Sequence, residues 1–402
     1  MPDPTYFRKG FGLKGAIERL LTADYHSEII EAFKANGHRL SVGPLTFRLA
    51  KEFGFCYGVD RAVEYAYEAR TKFPTRQLVM VGEIIHNPHV NQKLGAMGIS
   101  FIHRGEGGDF DFSQISSDHV VILPAFGVTV QDFTTLRAIG CVLVDTTCGS
   151  VLNVWKRVES YARDGFTSVI HGKYWHEETK ATASQVTKFP RGRYLVLFDM
   201  AEARQIIQFL EHGGDVALLA GRFGKTASEG FDFERDLVRV GIANQTTMLS
   251  KESLAIAEEF REGMIRKYGA ANEADHVRTF DTICSATQER QDAVAELLAD
   301  PPDLMIVVGG YNSSNTTHLA ALSVRQGVPT FHIEDADCID PVAATIRHRP
   351  IGSKAEVLTP GWLGEARSIG LTAGASTPNN KIGETVVRVA ATRGIDPSDL
   401  LR

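Results

Sequence analysis

An α/β fold built on parallel sheets is predicted for this chain by three observations. Short apolar runs alternate with stretches of helical periodicity from about residue 46 to the end. Small hydroxyl and amide residues cluster directly after several of those runs, where a parallel sheet collects its ligands. Three cysteines, Cys56, Cys148 and Cys284, each stand where such a turn opens into a helix-like segment.

Taken in order, residues 1–45 read as a helical extension, because IERLLTADYHSEIIEAFKANG carries apolar residues at helical intervals and stops at Gly37. Strand-like runs follow at 77–81, 119–123, 142–144, 168–170, 194–198, 216–220, 304–308 and 368–372. Helical stretches such as 252–268 and 292–298 separate most of them. The pattern divides the chain into units at 46–146, 147–281 and 282–402, with an irregular insertion at about 211–236. Within that insertion GRFGKT resembles a phosphate loop, but the position needing the first glycine is Leu219, so a nucleotide hydrolase is not predicted.

The 402 residues carry 43 Lys and Arg against 49 Asp and Glu, a net charge of -6 that offers no basic excess for general nucleic-acid binding. No apolar run reaches membrane-spanning length, and MPDPTYFRKGFG has no apolar signal core. Five cysteines without paired spacing do not form a disulfide pattern, which points to a reducing cytoplasm.

The strings GFCYGVDRAV, VLVDTTCGSVLNVWKRV and FDTICSATQERQDAV put Cys56, Cys148 and Cys284 at helix starts. There the backbone N–H groups and the helix dipole favour a thiolate, so these thiols are expected to be unusually acidic and able to ligate a metal. Three thiolates would leave one iron of a 4Fe-4S cluster open. Any single cysteine is more often a small core residue than a ligand, which is the reading for Cys141 and Cys338.

Two strand ends suit an anion. After 304–308 come Ser313, Ser314, Asn315 and Thr316 at a helix start, and after 368–372 come Ser376 and Thr377, either a cap, with Pro378 in the first turn. Capping alone explains each cluster; two of them in one α/β chain favour a phosphate-bearing substrate. His86 follows another strand, and His171, His176, Glu177 and Glu178 follow a fourth. An imidazolium can donate to phosphate, and a carboxyl in a dry pocket can hold a transferable proton. The acidic pair also suits a solvated helix start, and HExxH is absent, so HEE is not a zinc signature.

Together the strings GFCYGVDRAV, GEIIHNPHVN, DTTC, HEETKATAS, ANQTT, CSATQERQ, NSSN and TAGASTP, spread over about residues 46–390, make this chain resemble the LytB family of 4-hydroxy-3-methylbut-2-enyl diphosphate reductases. PAFGVT and KYWHEET, with the N-terminal extension, resemble its plant and cyanobacterial branch. The resemblance implies a trefoil of three α/β units around a central 4Fe-4S cluster held by Cys56, Cys148 and Cys284, with one iron not bound by cysteine. It implies reduction of a small diphosphate to isopentenyl and dimethylallyl diphosphate, with a ferredoxin or flavodoxin type electron donor. By the same resemblance His86 and His176 contact the diphosphate, Glu178 corresponds to the proton donor, and Thr246 to the hydroxyl beside it. Ser313, Ser314, Asn315 and Ser376 correspond to the remaining donors.

This chain departs from the better-known bacterial members at Phe126, where they have a second histidine, while agreeing with the plant and cyanobacterial branch, and Lys173 or His171 is a candidate replacement. The absence of a long leader favours a bacterial cytoplasm over a plastid. Two other readings stay open: a different three-cysteine 4Fe-4S dehydratase acting on a carboxylate, and a non-catalytic iron–sulfur redox sensor.

Overall fold

Strand pairing in the computed structural model, which describes residues 5–106, 108–280 and 282–401, gives three sheets dominated by parallel pairs and one small antiparallel ribbon. The α/β class predicted from the sequence is the one observed. By packing, these residues form two compact units. The first holds residues 5–8, Arg76–Gly82 and Phe101–Cys284, and the second holds Lys9–Thr75, Glu83–Ser100 and residues 285–401.

In the first unit one sheet runs in the order Tyr6–Phe7, Val142–Asp145, Val120–Leu123 and Leu78–Val81. The last three strands are buried along their whole length, as strands covered on both faces must be. The other sheet runs Val277–Thr279, Val240–Asn244, Thr167–His171, Tyr194–Leu197, all parallel. Its core sets Val169, Leu195 and Ile242 against Ile206, Phe223, Ile256 and Phe260.

The second unit has the order Thr330–Ile333, Leu304–Val308, Ser368–Ala373, Leu45–Leu49, Arg39–Val42, with only the last pair antiparallel. Ile339–Asp340, Thr345–His348 and Val357–Pro360 form the antiparallel ribbon. Among the described residues no helix is long and apolar enough to cross a membrane.

Three expectations need correction. Residues 216–220 are not a strand but part of the helix Val216–Phe223, because Asp215 caps it by accepting from the N–H groups of Ala217 and Leu218 at 2.8 and 3.2 Å. Leu219 and Phe223, four residues apart, bury one face of that helix. The stretch 1–45 is helical only at Lys14–Tyr25 and Glu28–Ala35; Tyr6–Phe7 and Arg39–Val42 are sheet strands. A boundary at 46 does not follow sheet membership, since Leu45, Phe47 and Leu49 alternate into the core beside Ser368–Ala373.

Candidate active site

In the first unit the strand Val142–Asp145 delivers Cys148 through a tightly bonded loop. Asp145, 6 % exposed, accepts from the N–H and hydroxyl of Thr147 at 3.0 and 2.5 Å through one oxygen and from the Tyr6 hydroxyl at 2.5 Å through the other. Arg8 stands 3.4 Å from that second oxygen. The Thr146 hydroxyl donates to Leu123 O at 2.6 Å, and the Cys148 N–H to Ala125 O at 2.9 Å. Cys148 then caps the helix Gly149–Arg163.

The expected acidity is not found at Cys148. Burial pushes its thiol up; the Ser150 and Val151 N–H groups pull it down, the neighbouring Cys284 sulfur raises it again, and the desolvation wins. Cys284, whose N–H reaches Thr246 O at 3.3 Å, precedes the helix Ser285–Leu298. Two thiols that interact, one of them with backbone donors aimed at its sulfur, fit a metal–sulfur centre, whose sulfurs carry negative charge and draw N–H hydrogen bonds.

The same unit assembles the surroundings of Glu178. His176 caps the helix Glu177–Val186, its Nδ1 accepting from the Glu178 N–H at 3.1 Å. Glu178 is 3 % exposed, and its Oε1 accepts from the Thr246 N–H at 2.5 Å. Gln245 Oε1 accepts from the Lys173 N–H and the Thr179 hydroxyl, both at 3.1 Å, joining the two loops. They are so close that a Cβ on Gly172 would lie 2.9 Å from Thr179 Oγ1. Glu177 instead stands 3.7 Å from Arg104. Phe126 packs edge-on against His176, ring centroids 5.9 Å apart at 78°. His171 does not replace the missing histidine: it is buried, bonded to the Ser253 hydroxyl at 2.8 Å, and its pKa falls to about 4 through desolvation.

The second unit gathers the other residues around one short segment. Ala375 O accepts from the Cys56 N–H at 3.1 Å, while the Ala375 N–H donates to Asn315 Oδ1 at 2.9 Å. The Ser376 hydroxyl donates to His86 O at 3.3 Å, and the same carbonyl lies where a Cβ on Gly310 would meet it at 2.4 Å. Glycine is therefore required at 310. Cys56 caps the helix Tyr57–Lys72, and the buried Arg290 guanidinium donates to Gly54 O at 2.8 Å and Phe55 O at 3.2 Å.

Ser313 caps the helix Ser314–Arg325 and accepts from the Thr316 N–H at 3.3 Å. Asn315 Nδ2 is buried with no hydrogen-bond partner among the described residues, a donor that an anionic ligand would satisfy. Ser376 and Thr377 do not cap the helix Asn379–Thr392 as expected. Pro378 takes that position, Thr377 donates to Val308 O at 3.0 Å, and the helix start keeps its N–H groups without a capping side chain.

The sequence profile of the LytB protein family matches residues 47–390. The chain belongs to the LytB family. LytB relatives named 4-hydroxy-3-methylbut-2-enyl diphosphate reductase include those of Gloeobacter violaceus, 51 % identical over 99 % of this chain and 95 % of the relative, and Thermosynechococcus vestitus, 47 % identical over 97 % and 95 %. The fold is also similar to the structure of the E-1-hydroxy-2-methyl-but-2-enyl-4-diphosphate reductase from Plasmodium falciparum, with a TM-score of 0.63 at 22 % identity, covering 86 % of this chain and 87 % of that one.

Within the first unit the geometry joins Cys148 with Cys284 and Glu178 with Thr246 and His176; within the second it joins Cys56, His86, Asn315 and Ser376. The sequence reading missed Asp145, Gln245 and Arg290, whose hydrogen bonds hold the loops that carry Cys148, Thr246 and Cys56. The first two lie inside DTTC and ANQTT, so their strings were visible while their roles were not.

Proposed function

We propose that this chain is an iron–sulfur oxidoreductase that converts 4-hydroxy-3-methylbut-2-enyl diphosphate to isopentenyl and dimethylallyl diphosphate. Two electrons and two protons enter, the C–O bond to the hydroxyl breaks, and the oxygen leaves as water. The observation that carries this reading is membership of the LytB family over nearly the whole length, with relatives of that name matched end to end.

Cys56, Cys148 and Cys284 would hold one 4Fe-4S cluster, and that group when bound supplies the electrons and an iron free of cysteine for the substrate oxygen. His86, His176, Ser313, Ser314, Asn315 and Ser376 would hold the diphosphate, the orphan Asn315 Nδ2 and the helix start at Ser314 being donors suited to it. Glu178 would pass a proton toward the departing hydroxyl. The carboxylate left behind keeps the Thr246 N–H as a donor, which stabilises the charge it acquires.

We further read the three sheets as three α/β units, a ferredoxin or flavodoxin type protein as the electron donor, and the cytoplasm as the location, five cysteines outside any disulfide favouring a reducing compartment. Anaerobic reconstitution with iron and sulfide, followed by turnover of the diphosphate substrate with a reduced dye, tests the function. A cluster-loaded protein that leaves the substrate unchanged would sink it.

A further inference from the structure

The antiparallel ribbon has no part in the reading above, yet it touches the anion loop at one residue. Tyr311 lies between the strand Leu304–Val308 and Ser313, and is 8 % exposed. Its hydroxyl donates to Glu356 Oε1 at 2.9 Å, a residue one position before the ribbon strand Val357–Pro360. Arg347 clamps the same carboxylate at 2.7 and 2.9 Å. Burial alone would raise Glu356, but the Arg347 and Tyr311 hydrogen bonds hold it below the usual carboxylate range, so it accepts as an anion.

Arg349 lies over the Tyr311 ring, its Cζ 4.1 Å from the centroid, and its buried Nε has no hydrogen-bond partner among the described residues. On the other side the His332 ring meets Tyr311 edge-on at 5.0 Å, while His332 Nε2 donates to Gly309 O at 2.9 Å. The Ser313 N–H closes the turn onto Gly310 O at 2.9 Å. The Tyr311 N–H also reaches Glu334 Oε1 at 3.5 Å, just after the strand Thr330–Ile333.

We propose that Tyr311, Glu356 and Arg349 are positioning residues that hold the loop before Ser313 in its anion-binding shape. The proposal rests on the reading that Ser313, Ser314 and Asn315 bind the diphosphate. The ribbon sets affinity without touching the ligand. Arg349 also offsets the charge of Glu334 and, together with Arg347, that of Glu356.

The test uses cluster-loaded enzyme carrying Tyr311→Phe, Glu356→Ala or Arg349→Met, with inorganic diphosphate as a competitive probe and the substrate for turnover. Each should weaken both ligands by about fivefold, the scale of one lost hydrogen bond for Tyr311→Phe and Glu356→Ala and of one lost cation–π contact for Arg349→Met, with kcat within about twofold and iron content unchanged. Tyr311→Phe combined with Glu356→Ala should be no weaker than Glu356→Ala alone, because that variant has already removed the acceptor of the Tyr311 hydroxyl. A general loss of folding would move iron content and kcat as well, and would overturn the proposal. Asn315→Ala separates the two readings: if it weakens diphosphate while all three variants bind normally, the ribbon has no positioning role. If Asn315→Ala itself binds normally, the loop is not the diphosphate site.

Discussion

The backbone N–H of Thr246 donates to the Glu178 carboxylate at 2.5 Å, so the residue read as a hydroxyl beside the acid is held there first by its main chain. Thr246→Ala keeps that bond and Glu178→Gln does not keep the acid, which separates two roles that adjacency alone would merge.

Glu178→Gln should bind substrate and hold the cluster while turnover falls about a hundredfold or more, since an amide cannot deliver a proton. Glu177→Gln should be nearly silent, because Glu177 faces Arg104 at 3.7 Å. Paired anaerobic assays with a spectral substrate titration decide this. A dead Glu177→Gln beside a normal Glu178→Gln would shift the assignment by one residue.

Cys56→Ser, Cys148→Ser and Cys284→Ser should each deplete iron and abolish turnover, whereas Cys141→Ser and Cys338→Ser should keep both, as those two thiols sit in apolar cores. Iron and sulfide content reads the outcome directly. Full iron in Cys148→Ser would remove that thiol from the centre.

Phe126 packs its ring edge against His176 and so fixes the imidazole from one side. Phe126→His should keep activity within about tenfold. Lys173→Ala should weaken diphosphate binding, since burial has already lowered the pKa of that amine and an anion beside it would restore its charge. A large gain in affinity for Phe126→His would mean that nothing here took over the histidine's contact.

Acid should destabilise the fold through two buried imidazoles. His171 and His332 have pKa values lowered to about 4 by burial, against about 6.5 in an unfolded chain. Their contribution is complete above about pH 6.5 and is lost as pH falls toward 4, where the unfolded chain takes protons that the fold refuses. Melting temperature measured from pH 7.5 to 4.5 should therefore fall less steeply in His171→Gln than in the parent. Identical slopes would assign the acid loss to other groups.

Much of this was legible because the site residues follow strands, and short apolar runs such as Leu304–Val308 and Val142–Asp145 announce themselves. Val240–Asn244 escaped because glycine, alanine and asparagine dilute its apolar pattern, although all five residues are buried. Val216–Phe223 was misread because its apolar run is too short for periodicity to tell strand from helix, and the deciding cap is Asp215. Cys148 defeated the reading for another reason: a helix start is visible in sequence, but the loss of water around a sulfur is not. Arg290 could not be read at all, since its partners at Gly54 and Phe55 lie 236 and 235 residues away.

The Tyr6 hydroxyl and the Asp145 carboxylate are 139 residues apart in the chain. A ribosome has therefore emitted more than a third of the polypeptide before the loop that presents Cys148 can acquire its last tether. Proteolysis after Arg8 would leave every thiol in place yet cut the edge strand from its sheet and strip two partners from Asp145. With Cys148 read as a cluster ligand, wear at the extreme amino end would register as slower metal loading rather than as a missing ligand.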